Sequence, residues 1–114
     1  MRFKLIVALV NPDITDEVVD KAKTAGATGD VIIPARGSGV SESKLFGISI
    51  VDKTDVILFV VEEHSANRIL NAMKLDCNLC EPGRGIAFLI DIERVVGLEH
   101  QIEKIKDRLK NEQL

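Results

Sequence analysis

Apolar residues fall along this chain in short blocks, and their spacing separates strands from helices. Phe3–Val10 is rich in branched side chains and predicts a strand. Asn11-Pro12-Asp13 ends it, and a side-chain oxygen of Asp13 or Thr15 is placed to cap a following helix. Ile14, Val18, Ala22 and Ala25 recur at steps of four, four and three, one helical stripe that Gly26 terminates. A second strand is expected at about Gly29–Ala35, around Val31, Ile32 and Ile33. From Arg36 to Lys53 the chain is mostly small and polar, broken by Gly37, Gly39 and Gly47, with Phe46, Ile48, Ile50 and Val51 as apolar anchors. Val56–Val61 is unbroken and apolar, the mark of a buried strand. Ala66, Ile69, Leu70 and Met73 predict a second amphipathic helix that starts near His64 or Ser65. After a loop at Leu75–Gly85, Ile86–Ile92 reads as the fourth strand, and Leu98, Ile102, Ile105 and Leu109 return to helical spacing.

Parallel crossovers are right-handed, so this order predicts an α+β ferredoxin-like βαββαβ sandwich with an extra C-terminal helix, one domain over residues 1–114. Two helices cover one face of such a sheet. Yet Val56–Val61 and most of Leu5–Val10 are apolar on both faces, and on the fourth strand Ile86, Phe88, Ile90 and Ile92 oppose Ala87 and Leu89. A solvated face alternates with polar residues. The second face is therefore expected to be buried against further copies of the chain, with the fourth strand and Ile90 central to that core.

Composition narrows the function classes. The 114 residues are 46% hydrophobic and 29% charged, which excludes a disordered chain. A net charge of −3 offers no cationic surface for nucleic acid, and four scattered phenylalanines with no Trp or Tyr make no stacking platform. The apolar run Leu5–Val10 falls far short of the ~20 residues of a membrane span, and is too short for a signal peptide despite Arg2 and Lys4 before it. A cytoplasmic protein without membrane insertion is expected.

Two glycine segments lie beside strand ends, Ala35-Arg36-Gly37-Ser38-Gly39 and Pro82-Gly83-Arg84-Gly85. Glycine lets backbone N–H groups approach an anion, and arginine adds charge and a bidentate fork. The plainer reading is two turns in which glycine relieves strain. Cys77-Asn78-Leu79-Cys80 is a C-x-x-C without a second pair, and His64 and His100 are isolated, so no zinc set is expected. Asp76 and Glu81 flank the cysteines, an acidic setting expected to disfavour thiolate; two reduced thiols in a loop is the simpler account. Neither histidine accompanies a nucleophile motif, Glu62-Glu63 reads as a helix entrance, and Asp52, Lys53 and Asp55 read as surface charges.

In order along the chain, Asn11-Pro12, Gly26-Ala27-Thr28-Gly29, Ala35-Arg36-Gly37-Ser38-Gly39, Phe46-Gly47-Ile48-Ser49-Ile50 and Pro82-Gly83-Arg84-Gly85-Ile86-Ala87-Phe88 resemble the P-II nitrogen regulator family, in its divergent P-II-like branch. The resemblance runs from Phe3 to about Leu98. It implies a homotrimer with nucleotide sites in the clefts between subunits, and a loop after the second strand that docks onto a target protein. Carried over, Gly37 and Gly39 match nucleotide-contacting glycines at the loop base, and Gly83 and Gly85 match those that cradle phosphates. Ile86, Gly97 and Glu99 stand where nitrogen-regulating members carry phosphate-binding cations, and Arg84 replaces an aspartate. With no tyrosine, the nucleotidylation of some members is ruled out.

The sequence thus reads as a non-enzymatic signal transduction protein that requires no cofactor. Arg36, Gly37, Gly39, Gly83, Arg84 and Gly85 would bind the effector, an adenine nucleotide (AMP, ADP or ATP) or another small anion. Ser41, Ser43, Lys44 and Phe46 would meet the unidentified target protein. Nitrogen regulation is what the family implies. The alternative is a metal- or redox-responsive trimer that uses Cys77 and Cys80.

Overall fold

The computed structural model describes residues 1–36, 44–45, 48–49 and 53–112. In chain order the strands are β1 (Phe3–Val10), β2 (Val31–Ala35), β3 (Lys44–Leu45), β4 (Ile48–Ser49), β5 (Thr54–Glu62) and β6 (Gly85–Ile92). The helices are α1 (Thr15–Thr24), α2 (Glu63–Asp76) and α3 (Glu99–Glu112). An antiparallel sheet of order β2-β5-β1-β6 carries α1 and α2, the ferredoxin-like arrangement, and β3 and β4 pair separately. That small ladder, with Leu45 opposite Ile48, is absent from the sequence reading. No helix among the described residues is long and apolar enough to cross a membrane.

Register divides the sheet into two apolar faces. Ile6 lies opposite Phe59 and Leu89, and Ala8 opposite Ile57 and Ala87. These side chains meet Val18 and Ala22 of α1 and Ala66, Ile69 and Met73 of α2 in the core. The alternate residues face away: Leu5 opposite Val60 and Ile90, Val7 opposite Leu58 and Phe88, Leu9 opposite Val56 and Ile86. This second face is open, with Phe88 at 39% and Ile90 at 45% exposure and Val31, Ile33 and Val60 similarly uncovered. One expectation is corrected here. The two crossovers place β1 and β5 at the centre, so β6 is an edge strand and Ile90 lies on the open face rather than in a central core.

Capping also differs from the expectation. Asn11 Oδ1 accepts from the Asp13 backbone N–H at 2.9 Å and caps a 3-10 turn, Pro12–Ile14, that leads into α1. Thr15, buried, instead donates its hydroxyl to Asp55 Oδ2 at 2.6 Å, joining α1 to β5. At α2 the cap is Glu62, ahead of His64 and Ser65: its carboxylate accepts from the His64 backbone N–H at 2.8 Å and meets His64 Nδ1 at 2.5 Å. α3 forms where its spacing predicts; Ile102 is partly buried, and the side chains of Ile105 and Leu109 lie outside the described ones.

Gly85 opens β6 opposite Val10 at a φ of +153°, a conformation that favours glycine. A Cβ there would stand 2.5 Å from the Leu9 carbonyl oxygen and 2.9 Å from Val10 Cγ1. The obstacle is backbone of the central strand, which cannot turn aside. Gly85→Ala is therefore expected to cost about 2 kcal/mol and lower the thermal midpoint by roughly 10 °C. A midpoint within about 2 °C of wild type, measured by calorimetry without ligand, would refute the tight approach.

Candidate functional site

The glycine loop before β6 is held at the end of the sheet by three backbone hydrogen bonds. Asn11 N–H donates to Arg84 O at 3.0 Å, Glu81 N–H to Asn78 O at 3.0 Å, and Arg84 N–H to Glu81 O at 3.4 Å. Gly83 takes a φ of +81°, and the space where its Cβ would sit is open. A ligand can approach that backbone closely. The Arg84 side chain turns back into the protein: Nε donates to Cys77 O at 2.8 Å, and Nη2 lies 3.4 Å from Glu17 Oε2. To reach an anion it must give up both contacts. The loop therefore presents backbone and shape more than charge.

Cations gather at the same end of the sheet on its other edge. Arg36 follows β2 and Lys53 precedes β5; with Pro12, Pro34, Ala35, Thr54 and the carboxylate of Asp55 they line an open cavity of about 350 Å³. Among the described residues neither cation has an ion-pair partner. Lys53 is the residue that the sequence reading passes over as a surface charge. Its pairing with Arg36 depends on β2 and β5 being neighbours, which no local motif signals. Asp55 is likewise more than a surface charge, since Thr15 binds it. Gly37, Gly39, Ser41, Ser43 and Phe46 lie outside the described residues, as does the side chain of Lys44. Three strand spacings, about 14 Å, separate the β2 and β6 edges within one chain.

The cysteines part company. Cys77 closes α2 with its side chain fully buried in the core, its Sγ donating to Glu17 O at 4.0 Å, whereas Cys80 is exposed. Burial pushes the Cys77 thiol up, and the Glu17 and Asp76 carboxylates push it further. A core position replaces the expected pair of loop thiols. Glu62, Glu63 and His64 bring possible ligand atoms within 4.8 Å of one another, but Glu62 is fully engaged in capping α2, and its contact with His64 raises that imidazole's pKa. The arrangement serves the helix start. Thiol titration of the folded chain at neutral pH should show one fast thiol, at Cys80, with Cys77 reacting only on unfolding. Two equally fast thiols would overturn the burial argument.

The sheet order, the two helices on one face and the glycine loop at the β1–β6 end can now be set against known proteins. A PII-like signaling protein from Thermus thermophilus is similar with a TM-score of 0.62 and 23% identity, covering 81% of this chain and 87% of that one. CPII from Thiomonas intermedia, in a structure bound to ADP, AMP and acetate, is similar with a TM-score of 0.59 and 18% identity, covering 82% of this chain and 90% of that one. A second structure of that protein, bound to ADP and bicarbonate, gives a TM-score of 0.57 and 21% identity over 81% of this chain and 87% of that one. No curated protein matches the sequence. The family model for nitrogen regulatory protein P-II matches residues 3–104, and the chain belongs to that family, whose members are signalling regulators.

Proposed function

We propose that this protein is a cytoplasmic homotrimeric P-II-like signal transducer, each chain contributing one such domain. An adenine nucleotide would bind between subunits and regulate a target protein through the segment after β2. The observation that carries this reading is the division of the site. Arg36 and Lys53 lie beside one sheet edge and the Gly83–Gly85 loop beside the other, too far apart in one chain to share a phosphate. A ring that sets the β2 edge of one copy beside the β6 edge of the next unites cations with glycines, and closes the open apolar face inward. The ADP- and AMP-bound relatives from Thiomonas intermedia support the choice of ligand class. The guanidinium and ammonium supply charge-assisted contacts, and the glycine loop supplies backbone N–H groups. The target protein would then be met by the segment after β2 that includes Ser41, Ser43, Lys44 and Phe46. Cys77 in the core favours this reading over a thiol-based sensor.

Light scattering in dilute solution should give about three times 12.5 kDa. Ile90→Asp should leave the chain folded, because Ile90 is 45% exposed, yet should break the assembly by burying an unpaired carboxylate at the interface. A wild-type monomer, or an unchanged mass for the variant, would sink the interface.

Each charge-assisted contact is worth about 1.5–3 kcal/mol, so Arg36→Ala and Lys53→Ala should each weaken ADP binding at least about tenfold while the trimer persists. Arg84→Ala should act first on stability, since it releases Glu17 and Cys77 O. Ile86, Gly97 and Glu99 provide no cation for a third phosphate, so ATP should bind no better than ADP or AMP. Calorimetry showing a strong ATP preference, or no adenine-nucleotide binding at millimolar concentration, would reject the proposed ligand site.

A further inference from the structure

A cavity of about 630 Å³ opens at the opposite end of the sheet from the glycine loop, where β1 begins and β6 ends. Its volume falls within the ~300–1,000 Å³ of small-molecule sites. Phe3, Ile92, Val95 and Ile102 supply its apolar lining, and Ile102 comes from α3. Lys4 also lines it but is matched by its ion pair with Asp91. Arg2 and Arg94 reach the same cavity with no ion pair among the described residues, and Glu93 is the one further acid there. Among the unpaired lining side chains, two guanidinium groups against one carboxylate leave a single net positive charge beside the apolar residues, Met1 included.

We propose that this cavity binds a small amphipathic monoanion: an apolar ring or short branched chain bearing one carboxylate. The carboxylate fits the planar forks of Arg2 and Arg94, which favour bidentate oxygen pairs. The apolar body fits against Phe3, Ile92, Val95 and Ile102. Glu93 limits the charge that the site accepts and disfavours dianions. Within one chain the cavity lies at the end of the sheet away from the Gly83–Gly85 loop. It also gives α3 a task, since that helix closes one wall with Ile102.

The probe is 3-phenylpropionate, compared with its neutral amide and with acetate, titrated into the full chain labelled for amide NMR. The expected shifts fall on Phe3, Ile92, Val95 and Ile102, with 3-phenylpropionate binding at least about tenfold more tightly than either comparator. Arg94→Ala should weaken it about tenfold, Glu93→Gln should tighten it a few-fold, and the Arg36→Ala/Lys53→Ala double variant should leave it unchanged. Arg94 and Glu93 are exposed, so both variants should fold, and the amide spectrum checks this directly. Opposite signs at positions 93 and 94 separate charge recognition from a packing effect. No shifts at about 10 mM, equal binding of the amide, indifference to Arg94→Ala, or shifts confined to Val31, Ile33, Phe88 and Ile90 on the open sheet face would each overturn the proposal.

Discussion

Everything in this molecule depends on a four-stranded sheet with apolar side chains on both faces and helices for only one. Right-handed crossovers send α1 and α2 to the same side, where they cover Ile6, Ala8, Ile57 and Phe59. The two-residue period of a strand then leaves Val31, Ile33, Val60, Phe88 and Ile90 exposed on the other side. Burying one such side chain contributes about 1.5–3 kcal/mol, so a few of them rival the ~5–15 kcal/mol that hold a whole domain together. A chain that leaves this face in water forgoes stability comparable to its fold. That is the physical pressure toward assembly, and it needs no special interface motif.

The same sheet explains why the candidate anion site is divided. Its edges are β2 and β6, so whatever follows β2 or precedes β6 sits at opposite limits of one chain. Arg36 and Lys53 collect charge at the first edge; at the second, Gly83 leaves open space while Gly85 lets the loop press close against β1. Arg84, the one cation within the glycine loop, joins α1 to the end of α2 through Glu17 and Cys77 O. In the proposed trimer, this fixed loop with little free charge would face cations on another copy, and ligand affinity would depend on assembly. On the proposed reading, ligand and neighbouring subunit are recognised together.

Most of the fold was legible because its long elements are strongly periodic. Ile14, Val18 and Ala22 at helical spacing became the buried side of the turn and α1, and the unbroken run Val56–Val61 became the interior of β5. The β3–β4 ladder was not legible, since two residues per strand within a glycine-broken stretch carry no period to read. The edge position of β6 was misjudged for a different reason. Apolar alternation reports which faces a strand buries, whereas its place in the sheet follows from the crossovers. In the candidate site, residue type identified Arg36, Gly83 and Gly85 as candidates, but direction was hidden. Nothing local tells that Arg84 turns toward Glu17, or that Lys53 shares a cavity with Arg36.

The cysteine pair shows how a familiar spacing can belong to the backbone instead of the side chains. Cys77 ends α2, and helix ends leave carbonyl groups without intrahelical partners. Its carbonyl oxygen is met by Arg84 Nε, while its side chain fills the core. Asn78 then takes a φ of +54° and turns the chain outward, so Cys80 emerges in solvent two residues later. A thiol held protonated in apolar surroundings is a poor nucleophile, and bringing it out to meet Cys80 would empty its place in the core. Moving Cys77 would also disturb the carbonyl that anchors Arg84, and with it the loop carrying Gly83 and Gly85. The C-x-x-C segment is therefore tied to the candidate anion site through main chain and guanidinium, and the burial that makes Cys77 useful there is what keeps its sulfur out of chemistry.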